Sequence, residues 1–411
     1  MAMSLLFLNR SAGQRLLTLV LLGGVLLFLP RIPQAAEWSI RSSIDQFLGY
    51  DTNVRMRQIP QGSFLYKIIP VVSFKRETDV SEITADVLYG TQRYSDISGF
   101  DQDIQNYSLG GLYKTERFDW GFTANYSITP TRNSITQNAG NFNTASENIS
   151  RTISPSLTYK ANETNTLTLT PSYNDLSFTN AAASKFRNSN TININLAWQH
   201  LWSERYNSSV SMFYSIFESL RGNTGTQRNV TYDSYGVNIS NEYTWTEKWK
   251  LSGTFGGRIT DSNTSTAGSS ASLGFLADVT VDYTGDRFSS AINFQRSLAP
   301  SFQGFLQQQT SAGWDIKYKI SETLSASFNA NILESTIINS ATGQKDRQYI
   351  SFQPVIAWKL SPDWTLSGSY RYRTQDRAQD SLDNATQSKS ADSNLIMLTL
   401  NYNWQGLKLS R

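Results

Sequence analysis

Cysteine is absent from this chain, histidine occurs once, and no run reaches eighteen consecutive apolar residues. Without cysteine there are no disulfide staples, and no thiol to carry the lipid that a bacterial lipoprotein needs after its leader. Enzymes most often use histidine in nucleophilic or acid–base work. Here His200 stands alone, and it reads as a polar residue of a short turn beside Trp202 and Glu204. A zinc site has no support. Asp101 and Asp103 form an acidic pair that reads as solvated, with a weak calcium loop as the other option. No motif argues for catalysis, and no cofactor is implied. The formal net charge of +3 is small for 411 residues and gives no support to nucleic-acid binding. No segment is long and apolar enough for a membrane helix.

At the N-terminus, Arg10 and Arg15 precede the apolar run from Leu16 to Leu29, followed by Pro30, Pro33 and the small pair Ala35 and Ala36. A charged region, an apolar region and a small-residue exit predict a secretory signal over 1–36, cut after Ala36. The fourteen-residue run spans only about 21 Å as a helix, short of a roughly 30 Å hydrocarbon core.

What the chain has instead is aromatics: Phe, Tyr and Trp make up 12% of it, although the mean hydropathy is −0.38. They recur in a pattern. Eight times an aromatic-ended strand meets a short charged turn: at Phe74, Tyr113, Tyr159, Trp198, Tyr243, Tyr283, Tyr318 and Trp358. The spacing of about forty residues fits two strands, one short turn and one longer loop. Between turns the alternation has period two. Trp120, Phe122, Ala124 and Tyr126 share one face, as do Ile192, Ile194, Leu196 and Trp198, and the run Leu273, Phe275, Ala277, Val279, Val281 and Tyr283. A polar average with one apolar face per strand and aromatic girdles is the signature of a transmembrane barrel. Residues 37–411 are therefore predicted to form an all-β, antiparallel, up-and-down outer-membrane β-barrel.

Eight turns join sixteen strands. A further strand near Trp38 to Leu48 and another near Leu395 to Trp404 bring the expected number to eighteen, with sixteen as the other option. The turns holding Glu116, Glu163, Glu204, Glu247, Asp286, Glu322 and Asp363 are placed in the periplasm. The polar connections Thr129 to Glu147, Asp175 to Ser189 and Thr374 to Ser393, including Asn138 and Asp383, are placed outside the cell. They read as solvated loops, or else one of them folds inward and narrows the pore. Pro70, Pro155, Pro171 and Pro354 fall within strand patterns on the apolar face, and local bulges are expected there.

Counting phase from the apolar residues puts Glu82, Asp86, Glu242, Arg258, Asp278, Asp282, Asp315, Lys317, Lys319, Lys359, Arg371 and Arg373 toward the lumen. A midplane Arg or Lys facing lipid would cost about 2–4 kcal/mol. These twelve are the candidate pore-lining charges, six acidic and six basic. Asn193, Asn195, Asn329, Asn331, Asn401 and Asn403 join them, giving a wall able to exchange hydrogen bonds with hydroxylated cargo.

The segment Gly49 to Val54, the segment Trp364 to Arg373 and the ending Asn394 to Trp404 resemble the EpsL-like, exosortase-associated porin-type barrels of exopolysaccharide operons. The resemblance implies an export pore for an exopolysaccharide. Its partners would be a periplasmic polysaccharide-export protein, an inner-membrane co-polymerase and the lipid bilayer. On that reading the balanced wall points to a neutral or weakly charged glycan, with Arg258, Arg371 and Arg373 tuning passage. The barrel pattern supports a general diffusion porin or small-solute uptake channel equally well, and a structural or adhesive barrel is a third reading. Unlike ordinary porins, the chain does not finish on an aromatic; Trp404 is followed by seven residues ending at Arg411.

Overall fold

In the computed structural model the residues described are 36–57, 59–131, 146–179, 186–220, 230–264, 268–338, 345–377 and 390–410. The expected signal therefore lies outside the described residues apart from Ala36, as do most of the three long polar connections, Asn138 and Asp383 among them. The strands are β1 (Glu37–Asp51), β2 (Ser63–Glu77), β3 (Ser81–Tyr94), β4 (Gln102–Lys114), β5 (Phe118–Pro130) and β6 (Glu147–Lys160). They continue as β7 (Asn165–Phe178), β8 (Ser189–Ser203), β9 (Tyr206–Ser219), β10 (Val230–Thr244), β11 (Trp249–Thr264) and β12 (Gly268–Thr284). The last six are β13 (Phe288–Pro300), β14 (Leu306–Lys319), β15 (Leu324–Ile337), β16 (Lys345–Lys359), β17 (Trp364–Arg377) and β18 (Ser390–Ser410).

Each strand pairs antiparallel with its sequence neighbours, and β1 also pairs with β18, so the eighteen-stranded sheet closes on itself. Closure is what a strand-built membrane protein requires, because an unpaired backbone group in hydrocarbon costs several kcal/mol. The expected eighteen strands, joined through the two terminal ones, are the ones observed. In such barrels the termini and short turns are periplasmic, which sets the periplasmic end of this one.

The outward face carries two belts. Near the periplasmic turns, Trp38 meets Phe74 at 5.4 Å between ring centroids, Trp249 meets Tyr283 at 4.8 Å, and Trp364 meets Tyr402 at 4.7 Å. Near the other end Tyr50 meets Phe64 at 5.0 Å and Tyr107 meets Tyr126 at 6.1 Å. On β10, Tyr243 and Tyr235 mark the two belts eight residues apart, which on a tilted strand is roughly 20 Å of height.

The prolines depart from expectation. Register shifts occur at Ile40/Ser42, Leu201/Ser203 and Ser335/Thr336, and none of these is a proline site. At Pro70 and at Pro354 the ladder skips a stretch and resumes in the same register. Pro155 and Pro171 fall opposite each other between the pairs Ile153–Tyr173 and Leu157–Leu169. Two missing N–H donors thus share one gap, and the Ser154 hydroxyl donates to the freed Pro171 carbonyl at 3.3 Å. The bulge that does matter is near the C-terminus. Gly406 has φ +83°, and a Cβ there would lie 1.8 Å from the Ile40 carbonyl oxygen. It resets the phase so that Leu407 and Leu409 face outward opposite Ile40 and Trp38. The last strand therefore runs on to Ser410 instead of ending near Trp404.

One ladder stops early. β12 and β13 pair from Thr284–Ser289 up to Ala277–Arg296 and no further. Yet β12 follows β11 to Gly268, and β13 follows β14 to Pro300. Above that point the β13–β14 hairpin leaves the wall and leans into the barrel.

Candidate pore

The twelve charges that strand phase proposes for the inward face separate by height. In the periplasmic half they sit in half-exposed polar pairs. Lys75 lies 3.2 Å from Glu82, and Lys250 lies 2.8 Å from Glu242. Asp86 accepts from the hydroxyls of Ser73 and Ser108. Asp315 accepts from Asn329 at 2.8 Å, and Asp278 from Gln295 at 3.1 Å. Asp282 stands opposite Lys250, while Lys317, Lys319 and Lys359 stand opposite Ser327, Ser325 and Thr365. Lys160 with Asp119 at 2.7 Å adds a pair that phase counting passed over. The predicted asparagines keep to this wall: Asn193 donates to Ser172, Asn401 to Asp45 and Asn403 to Asn401.

The outer half is different. Arg373, Asp51 and Ser393 form a buried network in which the guanidinium donates to one Asp51 oxygen at 2.6 Å and the hydroxyl to the other. It sits at the barrel's closure, and the Asp51 backbone leads into a turn in which Asn53 donates to Arg57 O and Asp392 O. The inward-phase Arg371 lies on the same strand two residues away, and fully buried Arg347 lies on the next. Across the lumen Arg258, only 4% exposed, donates to Thr260 at 2.8 Å and Gln308 at 2.7 Å.

Between these two arginine groups lies the leaning hairpin. Its five-residue tip, Ser301 to Phe305, closes through Ser301 N to Phe305 O at 2.7 Å, with Gly304 at φ +82°. Phe302 is completely buried against Phe178 at 4.7 Å and Phe186 at 5.4 Å, on the side of β7, six strands away round the ring. The Arg187 N–H donates to the Phe302 carbonyl at 2.8 Å. Burial holds the Arg187 guanidinium below its ordinary value. Leu306 joins a second buried cluster with Phe217, Val230 and Tyr232. Among the described residues this short connection folds inward; most of the three long polar connections lies outside them, and the end of one, at Phe186 and Arg187, packs on the hairpin tip. The signals that point to it are Phe302 inside a tight turn, and Leu298, Leu306 and Gln307 to Gln309 in strands whose two faces are both buried.

His200 lies in β8 and not in a turn. Its outward ring meets Trp202 edge-on at 4.4 Å and its Nδ1 lies 2.9 Å from Asn165 Oδ1, so it belongs to the periplasmic belt. Asp101 accepts the Tyr94 N–H at 2.8 Å, whereas Asp103 pairs with Arg93 at 2.9 Å. The two carboxylates serve different partners. Among the described residues no group of three or more His, Asp or Glu side chains is placed to hold a metal ion.

No family model matches the chain, and no curated protein does. Solved structures do match it in fold. OccAB4 of Acinetobacter baumannii shares 10% identity, with 93% of this chain and 100% of that chain covered and a TM-score of 0.50. The FrpB iron transporter of Neisseria meningitidis shares 9%, with 91% and 82% covered and a TM-score of 0.50. OccK5 of Pseudomonas aeruginosa shares 11%, with 89% and 98% covered and a TM-score of 0.49. At these identities the likeness is one of fold, and the specific exopolysaccharide family gains no support from it. Together with the closed ladder and the two belts, it makes this protein an outer-membrane β-barrel in contact with the lipid bilayer.

Proposed function

We propose that the barrel is a narrowed channel for small polar solutes, with a transport role and no catalytic one. One observation carries this reading: the β13–β14 hairpin crosses a lumen whose periplasmic half carries partly exposed paired charges. Eighteen strands leave room for an aqueous path, and the hairpin reduces it at one level. The pore-lining set on this reading is Glu82, Asp86, Glu242, Arg258, Asp278, Asp282, Asp315, Lys317, Lys319, Lys359, Arg371 and Arg373. Their arrangement makes the outer half the selective one, because the arginines there are concentrated and partly dehydrated. Reconstitution in planar bilayers, with neutral sugars of increasing size as blockers, tests this. A discrete conductance with a cut-off at small oligosaccharides is expected. A barrel silent to ions at all voltages would end it.

The second reading is export of an exopolysaccharide with a periplasmic export protein and an inner-membrane co-polymerase. It rests on the resemblance of the Gly49 to Val54, Trp364 to Arg373 and Asn394 to Trp404 segments. It requires the hairpin to move aside for a polymer, so locking the hairpin to β7 would abolish secretion while leaving small-ion conductance in place. Unchanged polymer secretion after a clean deletion of the gene would remove this reading.

A further inference from the structure

We propose that the cavity behind the seam between β12 and β13 binds the acyl chain of an amphiphile with an anionic head, entering sideways from the outer leaflet. The first observation is the seam itself. Above Ala277 and Arg296 the two strands continue without pairing to each other, although each keeps its ladder on the other side. A wall that seals by hydrogen bonds is unsealed here. Backbone groups left open toward hydrocarbon are costly, and the seam begins at the level where Phe275, eight residues above Tyr283, marks the outer belt. Its open edges thus face headgroups and water.

The second observation is what lies behind it. A cavity of about 390 Å³ sits on the inner side, and Phe213, Phe217, Leu276, Leu298, Pro300 and Leu306 contribute to its lining. Thr, Ser and Asn side chains with Asp278, Gln295 and Arg296 share that lining, and apolar side chains converge among them from the wall and from the leaning hairpin. The volume is that of a small-molecule site. The apolar part of this lining offers little to a sugar or an ion, whereas an alkyl chain laid against it gains roughly fourfold in affinity for each methylene it buries.

The third observation is charge at the foot of the seam. The Arg296 guanidinium lies 4.4 Å from the Phe275 ring centroid and donates to the Thr310 hydroxyl at 3.1 Å. Its Nε has no hydrogen-bond partner, and the same holds for Nε of Arg258. Neither arginine has a carboxylate among the partners given above. A carboxylate, sulfate or phosphate head arriving with its chain in the cavity would supply the missing negative charge.

The inference is independent of which solute the channel carries. The test uses the full-length barrel in phosphatidylcholine nanodiscs and a fluorescent dodecanoate as probe. Saturable binding is expected, with dodecanoate displacing the probe more than tenfold better than octanoate. Leu276→Trp, which fills the cavity, should abolish binding, and Arg296→Gln should weaken dodecanoate while leaving dodecanol unchanged. Because the chain has no cysteine, Leu276→Cys with Ser297→Cys can sew the seam shut. Thr280→Cys with Asn293→Cys, already paired below it, is the control. The sewn barrel should lose binding and the control should keep it, with heat-modifiable migration on gels reporting that each is folded. Mass spectrometry of extracted lipid separates the two sources of the chain. A membrane lipid recovered with the wild type and lost from Leu276→Trp names the bilayer; an empty extract with tight dodecanoate binding names a free fatty acid. Absence of saturable binding, or binding indifferent to Leu276→Trp and to the sewn seam, would overturn the proposal.

Discussion

The periplasmic and outer halves of the lumen are built on different principles. Below, the inward side chains are mostly small or charged, and the ion pairs Lys160–Asp119 and Lys250–Glu242 remain partly exposed. Above, the same wall acquires a core: Phe302, Phe217, Leu306 and Leu395 are buried, and Arg258, Arg347 and Arg373 are enclosed with them. A closed barrel does not need such a core, because its ladder satisfies the backbone without one. The lower half shows what the fold requires, and the upper half shows what has been added to it. Most of that addition hangs on one hairpin.

The comparison breaks most visibly if the hairpin is removed. Replacing Leu298 to Gln308 with a tight two-residue turn leaves the β12–β13 ladder below Ala277 untouched. Conductance in planar bilayers is expected to rise severalfold and the blocker cut-off to move to larger sugars. Unchanged conductance would mean that the narrowest level lies in the periplasmic half.

Next in size is the pair of carboxylates, one from each half. Asp51 is enclosed with Arg373, both side chains under 10% exposed. Asp51→Asn takes the carboxylate away from a buried guanidinium, at an expected cost of about 3–5 kcal/mol. Asp119→Asn removes the partner of a lysine that is 37% exposed, at an expected cost of about 0–1 kcal/mol. Denaturant unfolding from lipid vesicles measures both, and equal losses would erase the distinction between the halves.

A third test keeps height constant and changes only the face. Ile239 lies midway between the belt residues Tyr243 and Tyr235, is 53% exposed on the outward side, and is followed by inward Ser240. Ile239→Arg is expected to cost about 2–4 kcal/mol in the bilayer, and Ser240→Arg much less. Equal costs would mean that the lumen is as dry as lipid at that height.

The wall was legible in the sequence because its signal is local. Trp198, Tyr283 and Trp364 announce the belt, and each strand's phase follows from its own alternation, which is why the strand number was accessible and an inward direction could be proposed for Arg258 or Lys317. The added core was not legible, because there phase and environment part company. Leu306 and Gln308 occupy outward phases on β14, yet they are buried inside the barrel, since the hairpin carrying them has turned away from lipid. Period two tells which side of a strand a residue takes and cannot tell where the strand goes. The prolines misled for a related reason. A missing donor predicts a fault, but whether a bulge or a skipped rung absorbs it depends on the neighbouring strand, as with Pro155 and Pro171. The tail after Trp404 is similar: Gly406 re-phases Leu407 and Leu409 only because β1 runs the full length beside them.

The smallest expected effect is also the most direct check on the lower half. Lys250 and Glu242 lie 2.8 Å apart with side chains 49% and 41% exposed, and Lys250 also stands opposite Asp282. Half-exposed charges of this kind gain little from each other, because water screens the attraction and both long side chains lose freedom in meeting. Lys250→Met should therefore lower stability by about 1 kcal/mol or less, and the difference should vanish at high salt, where the screening length falls to about 3 Å at 1 M. The charge itself still matters to ions in the pore. With Lys250 gone, Glu242 and Asp282 are left uncompensated, so the reversal potential under a salt gradient should move toward cations. A loss of stability as large as that of Asp51→Asn would mean that Lys250 is as enclosed as Arg373, and that the periplasmic half is not the hydrated wall its exposed pairs describe.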